Sequence, residues 1–235
     1  MKGRYIFRLL AAVAGVLMLV SGCGKQIPET APEDVPEIRI ACVGDSITFG
    51  YGIEDPGQNS YPAVLQSLLG EGYRVRNFGV SGCSVQEDTD LPFTALESYT
   101  ESIAFQPDIL IFMMGGNDTR SGNWQGEEAF RSSLEALLDS YTGAQILLCT
   151  PAVTFFTESC PGPVYADFGV RPDITGTIAD IVRDVARERA CTLVDIYALT
   201  EEHPQWYCPD GVHPNAQGAA AIAEALREAV LALEP

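Results

Sequence analysis

From Ile38 onward, short aliphatic runs alternate with longer stretches in which apolar residues recur every three or four positions. A chain patterned this way is directed to a parallel sheet whose strands are joined by helices covering both faces. The strand-like runs lie at 38–43, 74–79, 109–114, 145–150 and 192–196, and their Ile, Val, Leu and Phe content suits strands buried on both sides. Helical periodicity marks 61–69, 94–105, 127–141, 174–189 and 215–233, the last with Ala221, Ile222, Ala225, Leu226, Ala229 and Val230 on one stripe. The expected fold class is α/β, a three-layer α/β/α sandwich with a central, mainly parallel five-stranded sheet, occupying residues 38–235. A length of 235 residues, 46% of them hydrophobic, fits one such domain and excludes a disordered chain.

The first 22 residues differ in kind. Lys2, Arg4 and Arg8 precede an apolar run at 9–20, which is shorter than the ~20 residues that span a bilayer, and Ser21, Gly22 and Cys23 follow. This is the pattern of a secretory leader. Val20-Ser21-Gly22-Cys23 resembles the lipobox of bacterial lipoproteins. The resemblance implies that Cys23 is lipidated, becomes the first mature residue, and holds an exported protein at the outer face of the bacterial cell membrane. Residues 23–37, rich in proline and acid, then form an extended tether. The formal charge is −18, and −21 without residues 1–22. Such a field repels nucleic acid and anionic head groups, so membrane contact is expected only through the lipid, and the domain is expected to be a monomer. Six cysteines remain. Cys42, Cys149 and their apolar neighbours suggest buried thiols, whereas Cys160 and Cys208, in loop-like stretches, are the preferred bridge. With His203 and His213 the only histidines and no CxxC spacing, neither a metal site nor another cofactor is expected.

In open α/β sheets ligands bind beyond the carboxyl ends of the strands. Gly44-Asp45-Ser46 follows the first run, Asn77-Phe78-Gly79-Val80-Ser81-Gly82 the second, Gly115-Gly116-Asn117-Asp118 the third, and Asp210-Gly211-Val212-His213 precedes the last helix. Together they hold the parts for acyl transfer: a hydroxyl nucleophile (Ser46), an imidazole to take its proton (His213), a carboxylate to orient the imidazole (Asp210), and donors for an oxyanion. Asn117 offers a side-chain amide, and Gly79 or Gly82 a backbone N–H. Asp45 and Asp118 are expected to organise the turns around Ser46 and Asn117 or, equally, to help polarise the site; Asp195 competes with Asp210 as the acid partner, a structural hydrogen bond being the preferred reading, and His203 is expected at the surface. The loop at 151–172 is expected over the substrate side.

These four blocks, in this order, resemble those of the SGNH hydrolases, also called the GDSL esterase and lipase family. Gly44-Asp45-Ser46 is similar to the first block, Gly82 of Asn77-x-x-x-x-Gly82 to the second, Gly115-x-Asn117-Asp118 to the third and Asp210-x-x-His213 to the fifth. The resemblance implies a flavodoxin-like sandwich, with Ser46 as nucleophile, His213 as general base and acid, and Asp210 as its partner. It places the oxyanion hole at the Ser46 and Gly82 N–H groups and the Asn117 side chain, so it favours Gly82 over Gly79.

The substrate expected is an ester, and specifically an acetylated carbohydrate. Asn59, Trp124, Gln125, Phe155, Tyr165, Trp206 and Tyr207 lie among polar residues near the motifs, which suits a sugar ring better than an acyl chain. Residues 209–215 are also similar to those of family members that deacetylate carbohydrates. The competing readings are a lysophospholipase or thioesterase-like lipase, a non-catalytic glycan-binding lipoprotein, and an acyltransferase that uses the same acyl-serine.

Overall fold

Among the residues described, five strands form one sheet: β1 (Ile38–Gly44), β2 (Tyr73–Asn77), β3 (Ile109–Met113), β4 (Gln145–Cys149) and β5 (Thr192–Val194). Their order is β2-β1-β3-β4-β5 and every neighbouring pair is parallel. The structure is a computed structural model and describes residues 37–156 and 166–233. The leader, Cys23, the tether up to residue 36 and Tyr165 therefore lie outside the described residues. So does Cys160, one half of the expected bridge, while Cys208 carries a free thiol.

The alternation of side chains along the strands builds two cores. Ala41 and Val43 of β1 join Leu110, Phe112 and Leu148 on one face, under the helices α4 (Glu97–Ala104), α5 (Glu127–Asp139) and α6 (Pro172–Glu188). Ile40 and Cys42 join Ile109, Ile111 and Leu147 on the other, under α3 (Tyr61–Leu69), α7 (Ile196–Thr200) and α8 (Ala216–Ala232). This is the expected three-layer sandwich. Every residue of β3 is buried, as a central strand covered on both faces must be. The edge strand β2 instead exposes Arg74 and Arg76, charges that discourage pairing with another sheet. The Arg76 guanidinium lies 4.8 Å from the Phe78 ring centre.

Several boundaries differ from the sequence expectation for local reasons. β5 ends at Val194 rather than 196, because the Asp195 side chain accepts from the Ala198 N–H and starts α7, a helix the sequence pattern did not reveal. Leu96, extended at φ −98° and ψ 150°, separates α4 from a 3₁₀ turn at Phe93–Ala95, so the helix expected from 94 begins at Glu97. Asn215 lies outside α8 as its cap, accepting from Gln217 N at 2.9 Å and Gly218 N at 3.1 Å.

The strand order places the site. From β1 the chain moves outward to β2, then crosses back to β3 on the other flank of β1. The connections after β1 and β3 thus diverge and leave a crevice at their carboxyl ends.

Candidate active site

β1 leads into Gly44, where a Cβ would collide with Thr48 Oγ1 and Met113 O, so only glycine allows the next turn to fold this tightly. Asp45 then caps the short helix α1 (Ser46–Phe49), its Oδ1 accepting from Ile47 N at 3.0 Å. Ser46 is the first residue of that helix, buried at the floor of the crevice. From the far end of the chain, a turn closed by Gly211 N donating to Cys208 O at 3.0 Å brings Asp210 and His213 to the same place.

Ser46 Oγ lies 2.9 Å from His213 Nε2, and His213 Nδ1 lies 2.9 Å from Asp210 Oδ2. The other Asp210 oxygen accepts from the Val212 and His213 N–H groups, each at 2.9 Å. Burial alone would raise the Asp210 carboxyl. The His213 N–H, the His213 ring and the Val212 N–H outweigh it and hold the carboxyl below its ordinary range. An ionised Asp210 accepts, so Nδ1 carries the proton and donates. Nε2 is left to accept the Ser46 O–H.

Gly82 and Asn117 line the same cavity as Ser46 and His213. Gly82 adopts φ +88°, which fits glycine. Gly79, the alternative, does not line the cavity, and its N–H donates to Asn77 Oδ1 at 2.8 Å. Asn117 Nδ2 donates to Cys83 O at 2.9 Å, which fixes the amide plane with one of its two N–H groups. Asn123 Nδ2 donates to Asn117 O at 3.0 Å and steadies the same turn. The cavity is about 280 Å³, with Met113, Met114, Ala152, Val170 and Val212 among its apolar walls. Pro151, Thr154 and Phe168 also line it, so the described parts of the 151–172 loop do lie over the crevice.

Two carboxyls beside the site are buried. Asp118 accepts from Val85 N at 3.0 Å and Gln86 N at 2.8 Å, and burial pushes its carboxyl up to about 7. Asp45 is pushed up by burial to about 6. Both hold turns, as expected. Asp195 does not line the cavity: Arg183 Nε donates to it at 2.9 Å and Thr150 Oγ1 at 3.0 Å. His203 stacks on Trp206 with ring centres 3.7 Å apart.

The aromatic expectation needs correction. Among the described residues, none of Asn59, Trp124, Gln125, Phe155, Trp206 and Tyr207 lines the cavity. Trp124 packs on Phe130, Phe155 on Tyr207 and Trp206 on His203, contacts made outside the cavity lining. The rings at the site are Tyr51 and Phe168, 4.5 Å and 5.1 Å from the His213 ring centre. Tyr51 had one available signal: Gly50, left-handed at φ +92°, ends α1 and returns the chain toward Ser46.

The model of the GDSL-like lipase/acylhydrolase family matches residues 42–221, which contain every residue of this constellation. The chain belongs to this family. Similarity extends to an acetylxylan esterase of Xylanibacter ruminicola, 32% identical over 228 residues that cover 88% of this chain and 45% of that protein. The GDSL-family chain thus spans less than half the length of this relative. Among solved structures, a carbohydrate acetylesterase family member from Sinorhizobium meliloti has a TM-score of 0.66 at 24% identity, covering 82% of this chain and 96% of that one. The aryl esterase of M. smegmatis has a TM-score of 0.68 at 19% identity, covering 83% of this chain and 99% of that one. At these identities the likeness is one of fold.

Proposed function

We propose that this GDSL-family protein is a serine esterase that releases acetyl groups from carbohydrates through an acyl-serine intermediate. The observation that carries the reading is the unbroken line of hydrogen bonds from Ser46 through His213 to Asp210, opening on a cavity that Gly82 and Asn117 share. The substrate class rests on the 32% identity to an acetylxylan esterase.

Ser46 Oγ attacks the ester carbonyl carbon as its proton passes to His213 Nε2. The carbonyl π electrons move onto oxygen, which the Ser46 and Gly82 N–H groups and the Asn117 amide receive. Collapse restores the carbonyl and breaks the bond to the alcohol oxygen, which takes the proton from His213. Water then attacks the acyl-serine, gives its proton to His213, and the second collapse returns that proton to Ser46. Throughout, Asp210 holds the imidazole in one tautomer and stabilises its charged form.

The test is acetate release from acetylated xylan and from 4-nitrophenyl acetate by the wild-type protein and Ser46→Ala. The variant is expected to lose at least ~10³-fold in kcat on both substrates, with acetylated xylan turned over by the wild type. Equal rates in the two proteins would remove Ser46 as nucleophile.

A further inference from the structure

Tyr51 and Phe168 are large aromatic side chains left open to solvent, 43% and 53% exposed, at a place where most of the molecule's rings are packed away. They come from segments far apart in the chain, Tyr51 from the turn after α1 and Phe168 from the loop before α6. Their ring centres are 5.7 Å apart at an interplanar angle of 84°, and His213 sits against both. Phe168 is held there at a cost, because it adopts φ +62° and ψ 11°, a left-handed conformation that a phenylalanine rarely takes. Ala166 N donates to Val170 O at 2.7 Å and closes the turn that imposes it. Strain of this kind persists at sites where the surrounding structure fixes a residue for contact with a ligand.

Position decides which half of an ester these rings meet. The group that receives a proton from His213 Nε2 is the departing alcohol, so the alcohol must lie beside the imidazole while the carbonyl oxygen faces Gly82 and Asn117. The rings flank the imidazole. We propose that Tyr51 and Phe168 form the subsite for the alcohol half of the substrate, an open aromatic corner that takes the C–H face of a pyranose ring. Thr154 and Arg120, the latter with one guanidinium nitrogen paired to Asp90 at 2.7 Å, stand on the cavity wall as polar partners for the ring's hydroxyls. The acyl half is left to the small apolar walls at Met113 and Met114. This assignment rests on the esterase reading above and adds to it which part of the substrate is read, and by what.

The experiment compares kcat and KM for an acetylated methyl β-xylopyranoside, ethyl acetate and ethyl butyrate in the wild type, Tyr51→Leu, Phe168→Leu and the ring-retaining Tyr51→Phe and Phe168→Tyr. The leucine variants are expected to lose about tenfold of their preference for the xyloside over ethyl acetate, through KM. Their preference for acetate over butyrate keeps its value, and the ring-retaining variants keep both. An equal fall on the xyloside and on ethyl acetate would overturn the subsite, since it would show that the rings act only by supporting His213. Xylotriose binding, measured by calorimetry in a Ser46→Ala background with and without Phe168→Leu, separates the two readings. Binding that weakens with the leucine, in a protein whose wild type turns over no ester, would sink the esterase and leave the corner standing. An absence of both turnover and binding would sink both.

Discussion

At His213 two hydrogen bonds settle where one proton resides. Asp210, held ionised by three surrounding donors, can only accept, and the serine side of the ring is thereby made basic. The same economy governs Asn117, whose amide spends one N–H on Cys83 O and so cannot rotate away from the crevice. In the proposed mechanism, Asn117→Ala removes a donor that matters only when the carbonyl oxygen becomes charged. It is expected to lower kcat by about 10²–10³-fold with little change in KM, which steady-state kinetics on 4-nitrophenyl acetate checks. Ser46, Asp210, His213 and Asn117 were legible in the sequence, because each lies in a short block whose spacing reflects a tight turn; the residues alone left Gly79 and Gly82 open, and the family resemblance favoured Gly82. Tyr51 and Phe168 were not legible. Phe168 reaches the site through a backbone conformation that its residue type disfavours, and no pattern of polarity announces such a choice. Trp124, Phe155 and Trp206 misled for the opposite reason: their polar sequence neighbours hid the rings on which they pack.

Among the elements, the β1–α1 junction bears the most constraint. Gly44 fits between Thr48 and the β3 carbonyl of Met113, Thr48 Oγ1 meets Tyr61 OH at 2.9 Å, and Asn77 Nδ2 donates to Thr48 O at 2.7 Å. Strand, nucleophile helix and the turn after β2 are thereby locked together. Gly44→Ala is expected to cost about 3 kcal/mol or more, because the obstructing atoms include backbone that cannot move aside, and urea unfolding measures it. The helices legible from periodicity were those with a sustained apolar stripe, such as α8 with Ile222, Leu226 and Val230 in the core. The five-residue α7 has too few turns to show a period. Its start is set by a single side chain, Asp195, that also binds Arg183 and Thr150.

On the scale of the molecule, buried carboxyls give stability an unusual dependence on pH. Asp45 and Asp118, raised to about 6 and about 7 by burial, bind protons in the folded state that they would release on unfolding above their ordinary value near 4. Their contribution therefore improves as pH falls from about 7 toward 4, and their penalty is fully present above about 7. Asp210, held below its ordinary range, acts in the opposite sense: its contribution is present above about 4 and is lost as pH falls through the depressed value. Asp118→Asn retains an acceptor for the Val85 and Gln86 N–H groups but cannot titrate. The variant is expected to lose, on the order of 2 kcal/mol, the gain in unfolding free energy that the wild type shows between pH 8 and pH 5, read from urea curves at the two values. The sequence revealed the layers because parallel strands buried on both faces must be apolar throughout, as β3 is. It did not reveal burial of these acids, which depends on what three separated loops place over them.

The topology also has a consequence in time. Ser46 stands on the first strand's exit and His213 just before α8, and α8 packs on α3, with Ile222, Leu226, Tyr61 and Leu65 in one core. In the proposed mechanism, a nascent chain thus carries Ser46 well before the imidazole that would take its proton. In the proposed mechanism, reactivity waits for the residues before α8 to return to the edge of β1, so activity reports closure of a contact spanning most of the domain.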